Sequence, residues 1–170
     1  MTGRPAAGEA PEYYFKYIAR VTSDDVLGVL AEQARSAPAF LRGIGDDRSL
    51  HRYAEGKWTL REVLGHVNDC ERVFTARAWW FARGQEAALS SFDPDSCAAN
   101  GGANDLPWAR HVEELEAVRA STLAFFRGLP EAAWMRTGTA SGNPFTVRAL
   151  AFITAGHLDH HLAIVREKYL

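Results

Sequence analysis

Cysteine is scarce in this chain. Cys70 and Cys97 are the only two, and their spacing suits neither a metal knot nor a dithiol couple. A disulfide framework is thereby excluded, and a reducing compartment is expected. No run approaches the roughly 20 apolar residues of a membrane span. The opening MTGRPAAGEAPEYY has no apolar h-region, so the expectation is a cytoplasmic protein with no membrane partner. Charge of one sign is not in excess either. Lys and Arg number 19 against 21 Asp and Glu, with no basic stripe, which argues against nucleic acid as a partner. Internal repeats, low-complexity tracts and convincing strand patterns are missing. So are the His-Glu-x-x-His motif of zinc proteases and the Glu-x-x-His pairs of carboxylate di-iron bundles. No serine or cysteine nucleophile is visible beside a histidine base.

What is present is apolar material, 47% of the 170 residues, enough for one domain spanning 1–170 with a full core. Residues 1–12, rich in Ala, Gly, Pro and Glu, read as a loose tail. Tyr13, Tyr14, Phe15 and Tyr17 read as packing onto the domain rather than as ligand contacts. A first helix is expected from a Thr22 or Ser23 cap, with Asp24 and Asp25 in its first turn and Pro38 able to kink it. It should end near Gly43 or Gly45. A second opens on the capping box Thr59–Glu62 and keeps helical spacing through Val63, Val67, Cys70, Phe74, Ala78 and Phe81. Residues 84–105 form a polar connection of a length typical of functional lids or crossovers. A third helix is expected from an Asp105 cap with Pro107 in its first turn, His111 lying solvated among charged neighbours. A fourth follows a Thr146 cap. Four such helices make an all-α four-helix bundle, and the long second link frees it from simple up-down-up-down order.

Histidine is where the chemistry concentrates. Three of six lie within Gly156–Leu162, in an otherwise apolar stretch. Burying an imidazole without a partner costs about 1–3 kcal/mol, so something must compensate. At about 100° per residue, His157 and His161 share one apolar sector with Leu150, Thr154 and Val165, whereas His160 falls about 60° to the far side of His157. On the second helix His66 sits about 75° from the centre of the apolar face, flanked by Glu62 and Asp69. His66, His157 and His161 thus compose a three-imidazole set with an open position, the pattern of a catalytic metal site. Glu62, Asp69 and His160 stand as acid–base or orienting groups on wheel position. Cys70, at i+4 from His66, reads as a core thiol before a ligand. The competing account has the three histidines satisfied by Thr154, Glu62, Asp69 and water.

The segments Lys57–Arg72, with its Gly65-His66-Val67-Asn68-Asp69 centre, and Ala155-Gly156-His157-Leu158-Asp159-His160-His161-Leu162 resemble the two signature blocks of the DinB-like (DinB/YfiT-like) superfamily of metal-dependent hydrolases. The likeness extends over nearly the whole chain, including the Tyr-rich start and the Trp134 segment. It implies an up-down-down-up bundle with a long crossover between helices two and three. It also implies a divalent metal, nickel or zinc, on the histidines matching His66, His157 and His161, and a homodimer. Characterised relatives of this kind include transferases that use a low-molecular-weight thiol as cosubstrate. The sequence therefore leaves water and thiol both open as the nucleophile toward a small-molecule substrate, with a non-catalytic metal- or ligand-binding bundle as the alternative. Trp79, Trp80 and Phe81, each about 100° from the next, cannot all face one core, so a tryptophan is expected at a second interface.

Overall fold

The structure, a computed structural model, describes residues 3–170. Among them the helices and strands follow as α1 (Phe15–Ile18), α2 (Val26–Arg42), α3 (Asp46–Ser49), α4 (Leu60–Ala82), α5 (Pro94–Asn100), α6 (Trp108–Arg127), β1 (Thr137–Ala140), β2 (Asn143–Thr146) and α7 (Val147–Ile164). A π-helical turn, Val165–Tyr169, continues α7. The four long helices α2, α4, α6 and α7 form the bundle.

Capping side chains set the helix starts. Thr59 accepts the Glu62 amide at 3.1 Å while the Glu62 carboxylate accepts the Thr59 amide at 2.6 Å, the reciprocal box expected for α4. Thr146 accepts the Ala149 amide at 3.0 Å and opens α7. Two starts differ from the sequence reading. Asp25, not Thr22 or Ser23, caps α2 through the Gly28 amide, and α6 begins at Trp108 with Pro107 in the cap position. There the Trp108 amide is taken by the Asp46 carboxylate at 2.7 Å, which does the work expected of Asp105. Pro38 sits within α2 without ending it.

Contacts between helices fix their directions. Asn68–His111, Glu71–Arg119 and Thr75–Thr122 advance together, so α4 and α6 run in the same sense. Gln33 meets the Ala155 carbonyl and Phe40 meets Arg166, so α2 and α7 also run together. Gln33 meets Arg119 and the Leu41 carbonyl meets Trp108, which makes α2 antiparallel to α6. The stretch from 83 to 107 therefore travels the length of the bundle to let α6 start beside the start of α4.

One apolar cluster holds Phe74, Phe81, Phe126, Phe145, Leu150 and Phe152, the other Leu41, Leu60, Leu64, Trp108, Leu115 and Leu158. All four long helices share one buried polar network. Arg119 of α6 grips both Glu71 oxygens of α4 at 2.7 Å and reaches Gln33 of α2 at 2.6 Å, and Gln33 donates to Ala155 of α7 at 2.9 Å. Removing one member of such a buried pair costs about 3–5 kcal/mol.

Three expectations are corrected here. First, the segment from 3 to 12 is tied down, the first two residues lying outside the described range. Glu9 accepts from Arg148 and from the Thr146 hydroxyl at 2.9 Å, its carbonyl takes the Thr146 amide, and Ala10 is buried. Burial opposes ionisation of Glu9, yet hydrogen bonds from Arg148, Ala6 and Thr146 outweigh it and hold its carboxyl below the ordinary value. Second, β1 and β2 form a hairpin, with Thr137 opposite Thr146. Its two-residue turn, Ser141-Gly142, takes positive φ at both positions (53° and 73°), as a tight hairpin requires. Third, His111 is buried, donating from Nε2 to the Ala103 carbonyl at 2.8 Å. No helix among the described residues is long and apolar enough to cross a membrane.

Candidate metal centre

His157 is the hinge of the site. It stands on α7 where the two apolar clusters meet and is only 4% exposed. Its Nε2 lies 3.3 Å from His66 Nε2 on α4 and 3.1 Å from His161 Nε2 one turn along α7. All three ligand atoms fall within 4.8 Å of one another. Nitrogens about 2.0–2.1 Å from a tetrahedral zinc stand roughly 3.3 Å apart, so the two contacts at His157 have the spacing of imidazoles round an ion. A single shared proton satisfies only one of the two short contacts at His157, which makes the arrangement costly without a cation.

Electrostatics agree with that role. Burial pushes His66 down to about 4, against an opposing pull from the Asp95 charge. Burial pushes His161 down to about 3 and His157 well below its ordinary value, the neighbouring imidazoles adding to the effect. All three rings are neutral at neutral pH, the state in which imidazole offers a lone pair to a metal.

Aromatic rings wall the triad. Trp58 stands 4.9 Å from the His66 ring, Phe74 5.5 Å and Tyr17 5.1 Å from the His157 ring. Tyr17 gets there because Gly156 has no Cβ; one added at that position would lie 2.0 Å from the Tyr17 carbonyl oxygen. Tyr169 holds the Trp58 segment by donating to the Trp58 carbonyl at 2.7 Å. Cys70 brings its sulfur to 3.6 Å from the His66 ring, and burial pushes its thiol up to about 12.

The groups named on wheel position fare differently. His160 borders the cleft, its ring 5.3 Å from Tyr17 and 5.1 Å from His161. Glu62 and Asp69 do not line it. The Glu62 carboxylate is taken up by the Thr59 amide, by Asn104 at 3.0 Å and by Arg52, and Asp69 faces outward beside Arg72. Both flank His66 in sequence, but the helix turns them away from its ring.

In front of the triad lies a cleft of about 480 Å³. Tyr13, Tyr14 and Tyr17, expected only to pack, form one wall, and Lys16 sits over the Tyr13 ring at 3.6 Å. Phe92, Pro94 and Asp95 of the crossover, Ser141 of the hairpin turn and Arg77 of α4, three turns along from His66, also line the cleft. A charged residue at i+3 from Phe74 within an apolar stripe was a signal for Arg77 in the sequence. A second groove of about 490 Å³ lies between α4 and α6, where Arg72 is the one charged lining residue and no histidine enters.

Comparison with known proteins agrees with this fold. The family model described as the DinB superfamily matches residues 9–165. A protein of Geobacillus thermodenitrificans named "Putative metal-dependent hydrolase" is 23% identical over 156 residues, covering 88% of this chain and 86% of its own. One from Geobacillus kaustophilus, named in the same words, is 28% identical over 139 residues, covering 77% of each. The solved structure of YfiT from Bacillus subtilis, described as "a probable metal-dependent hydrolase with an unusual four-helix bundle topology", superposes with a TM-score of 0.72 at 19% identity, over 96% of this chain and 89% of that one. At that identity the likeness speaks for the fold.

Proposed function

The chain belongs to the DinB superfamily, and from that premise we propose that it is a divalent-metal-dependent hydrolase acting on a small molecule, with His66, His157 and His161 as the metal ligands. The observation that carries this reading is the convergence of three neutral Nε2 atoms, two of the contacts at 3.1 and 3.3 Å, at the floor of an open cleft. Three imidazoles suit zinc or nickel. Such an ion supplies positive charge that lowers the pKa of a water, or of a low-molecular-weight thiol, in the position the protein leaves free. The chain's own residues do the rest. Trp58, Phe74 and Tyr17 keep bulk water from the histidines, and His160 stands at the cleft wall to take up or return a proton on the substrate. With a thiol in place of water the same cleft would serve an S-transferase.

The test is elemental analysis followed by a reaction screen. Purified protein should carry about one divalent ion per chain, and chelation should remove it without unfolding the bundle. Turnover of model esters and amides by metal-loaded protein supports the hydrolase, and turnover of electrophiles only with an added thiol supports the transferase. Metal without turnover points to a binding protein. No transition metal after incubation with nickel or zinc overturns the reading. We further infer a homodimer, supported by Trp79, which is 46% exposed beside Ala76, Ala117 and Phe125 in the α4–α6 groove.

A further inference from the structure

Among the described residues three arginines are buried: Arg61, Arg77 and Arg119. Arg61 pairs with Asp46 at 2.7 Å, and Arg119 pairs with Glu71 at 2.7 Å. Arg77, 3% exposed, is different. Its Nη2 donates to the Ser90 carbonyl at 3.2 Å and to the Ser141 hydroxyl at 2.9 Å, the Tyr14 hydroxyl interacts with it, and the Phe92 ring lies 5.8 Å from its guanidinium carbon. Each of these partners is neutral. Among the described residues no carboxylate forms an ion pair with it, and the cleft's own acid, Asp95, acts on the His66 side. A buried guanidinium without a counter-charge is unfavourable, and this one lines the cleft that holds the histidines.

We propose that Arg77 is the anchor for an oxyanion group of the substrate, a carboxylate or a phosphate, bound at the end of the cleft away from His66, His157 and His161. The inference rests on reading that cleft as the reaction site. Geometry supplies the distance. His66, Cys70, Phe74 and Arg77 follow one another at i+4, i+4 and i+3, so they climb one face of α4, and the first and last Cα atoms stand about 16 Å apart along the axis. Long side chains lean toward the helix N-terminus, which brings the guanidinium back toward the histidines. A substrate held at both ends is therefore elongated, with its anionic group at Arg77 and its reacting bond over the triad. The planar fork of Arg suits both oxyanions, and charge-assisted bonds to it are about twice as strong as neutral ones. Lys16, over the Tyr13 ring, adds a second positive charge to the same cleft.

Arg77 also pins the crossover and the hairpin to α4, so the test must separate anchoring from scaffolding. Succinate, inorganic phosphate and neutral succinamide are titrated calorimetrically into the full chain, metal-loaded and metal-stripped. Succinate or phosphate should bind at least about tenfold more tightly than succinamide in both forms, and comparing the two anions tells which group the site prefers. Arg77→Gln should bring that ratio to about one, and Arg77→Lys should keep part of it. Ser141→Asp should also abolish the preference, because its carboxylate would lie against Nη2 and occupy the anion's place while the local structure stays pinned. Ser141 already has φ of 53°, a region Asp tolerates better than most residues. A ratio near one in the wild type overturns the proposal. So does a preference that survives Arg77→Gln and Ser141→Asp, or one that appears only with metal bound. A chain that takes up no metal yet keeps an Arg77-dependent preference refutes the metal reading alone, and metal uptake with a ratio near one refutes this one alone.

Discussion

Imidazoles one residue apart on α7 have different neighbours. His161 places its Nε2 3.1 Å from His157, while His160 rests its ring against Tyr17 at 5.3 Å. His161→Ala should therefore lose the divalent ion. His160→Ala should retain about one per chain and change turnover at most, as measured by metal content after dialysis and by titration with zinc or nickel. The opposite pair of results would mean that the helix presents its other edge to the metal. The different placement of the two rings was legible in the sequence, because helical periodicity alone separates His160 from His161 once Leu150 and Val165 mark the buried side. Arg77 was not read. Its place inside the apolar stripe of α4 was the one signal, and the partners that cover it, Ser90 of the crossover and Ser141 of the hairpin turn, lie beyond that local pattern.

At the level of elements, α1 lies against α7 because of one missing methyl. A Cβ at position 156 would sit 2.0 Å from a backbone oxygen of Tyr17, and backbone yields less readily than a side-chain tip. Gly156→Ala should lower stability by about 1–3 kcal/mol in urea denaturation and shift α1, carrying Tyr17 off the His157 ring. Unchanged stability would show that α1 is free to slide there at no cost. The long helices were readable from local chemistry, as the Thr59–Glu62 box and the Thr146 cap show. The hairpin was not, since Thr-Gly-Thr-Ala has little apolar alternation, and Gly138 is needed where a Cβ would lie 1.9 Å from the Phe81 ring. The N-terminal segment was misread for a similar reason. Its partners at Thr146 and Arg148 are 137 and 139 positions away, beyond any local pattern.

On the scale of the whole molecule, the α4–α6 face carries Trp79 at a groove of about 490 Å³. Light scattering at micromolar protein should give twice the chain mass, and Trp79→Glu should reduce it to the monomer. Burying a lone carboxylate at an apolar interface is strongly unfavourable. A monomeric wild type would exclude the dimer.

The position of α7 has a consequence for how the protein is made. Two of the three histidines, and a helix whose residues from Val147 to Leu158 are all buried except Arg148, come after every other long helix in chain order. During synthesis α2, α4 and α6 emerge first, with His66 alone and the surface meant for α7 open to water. Domains generally assemble as units, and contacts spanning such separations form late. On the proposed metal site, the nascent chain would hold only one of its three imidazole donors until α7 has left the ribosome, so ion capture would come last, as a check that the rest is already in place.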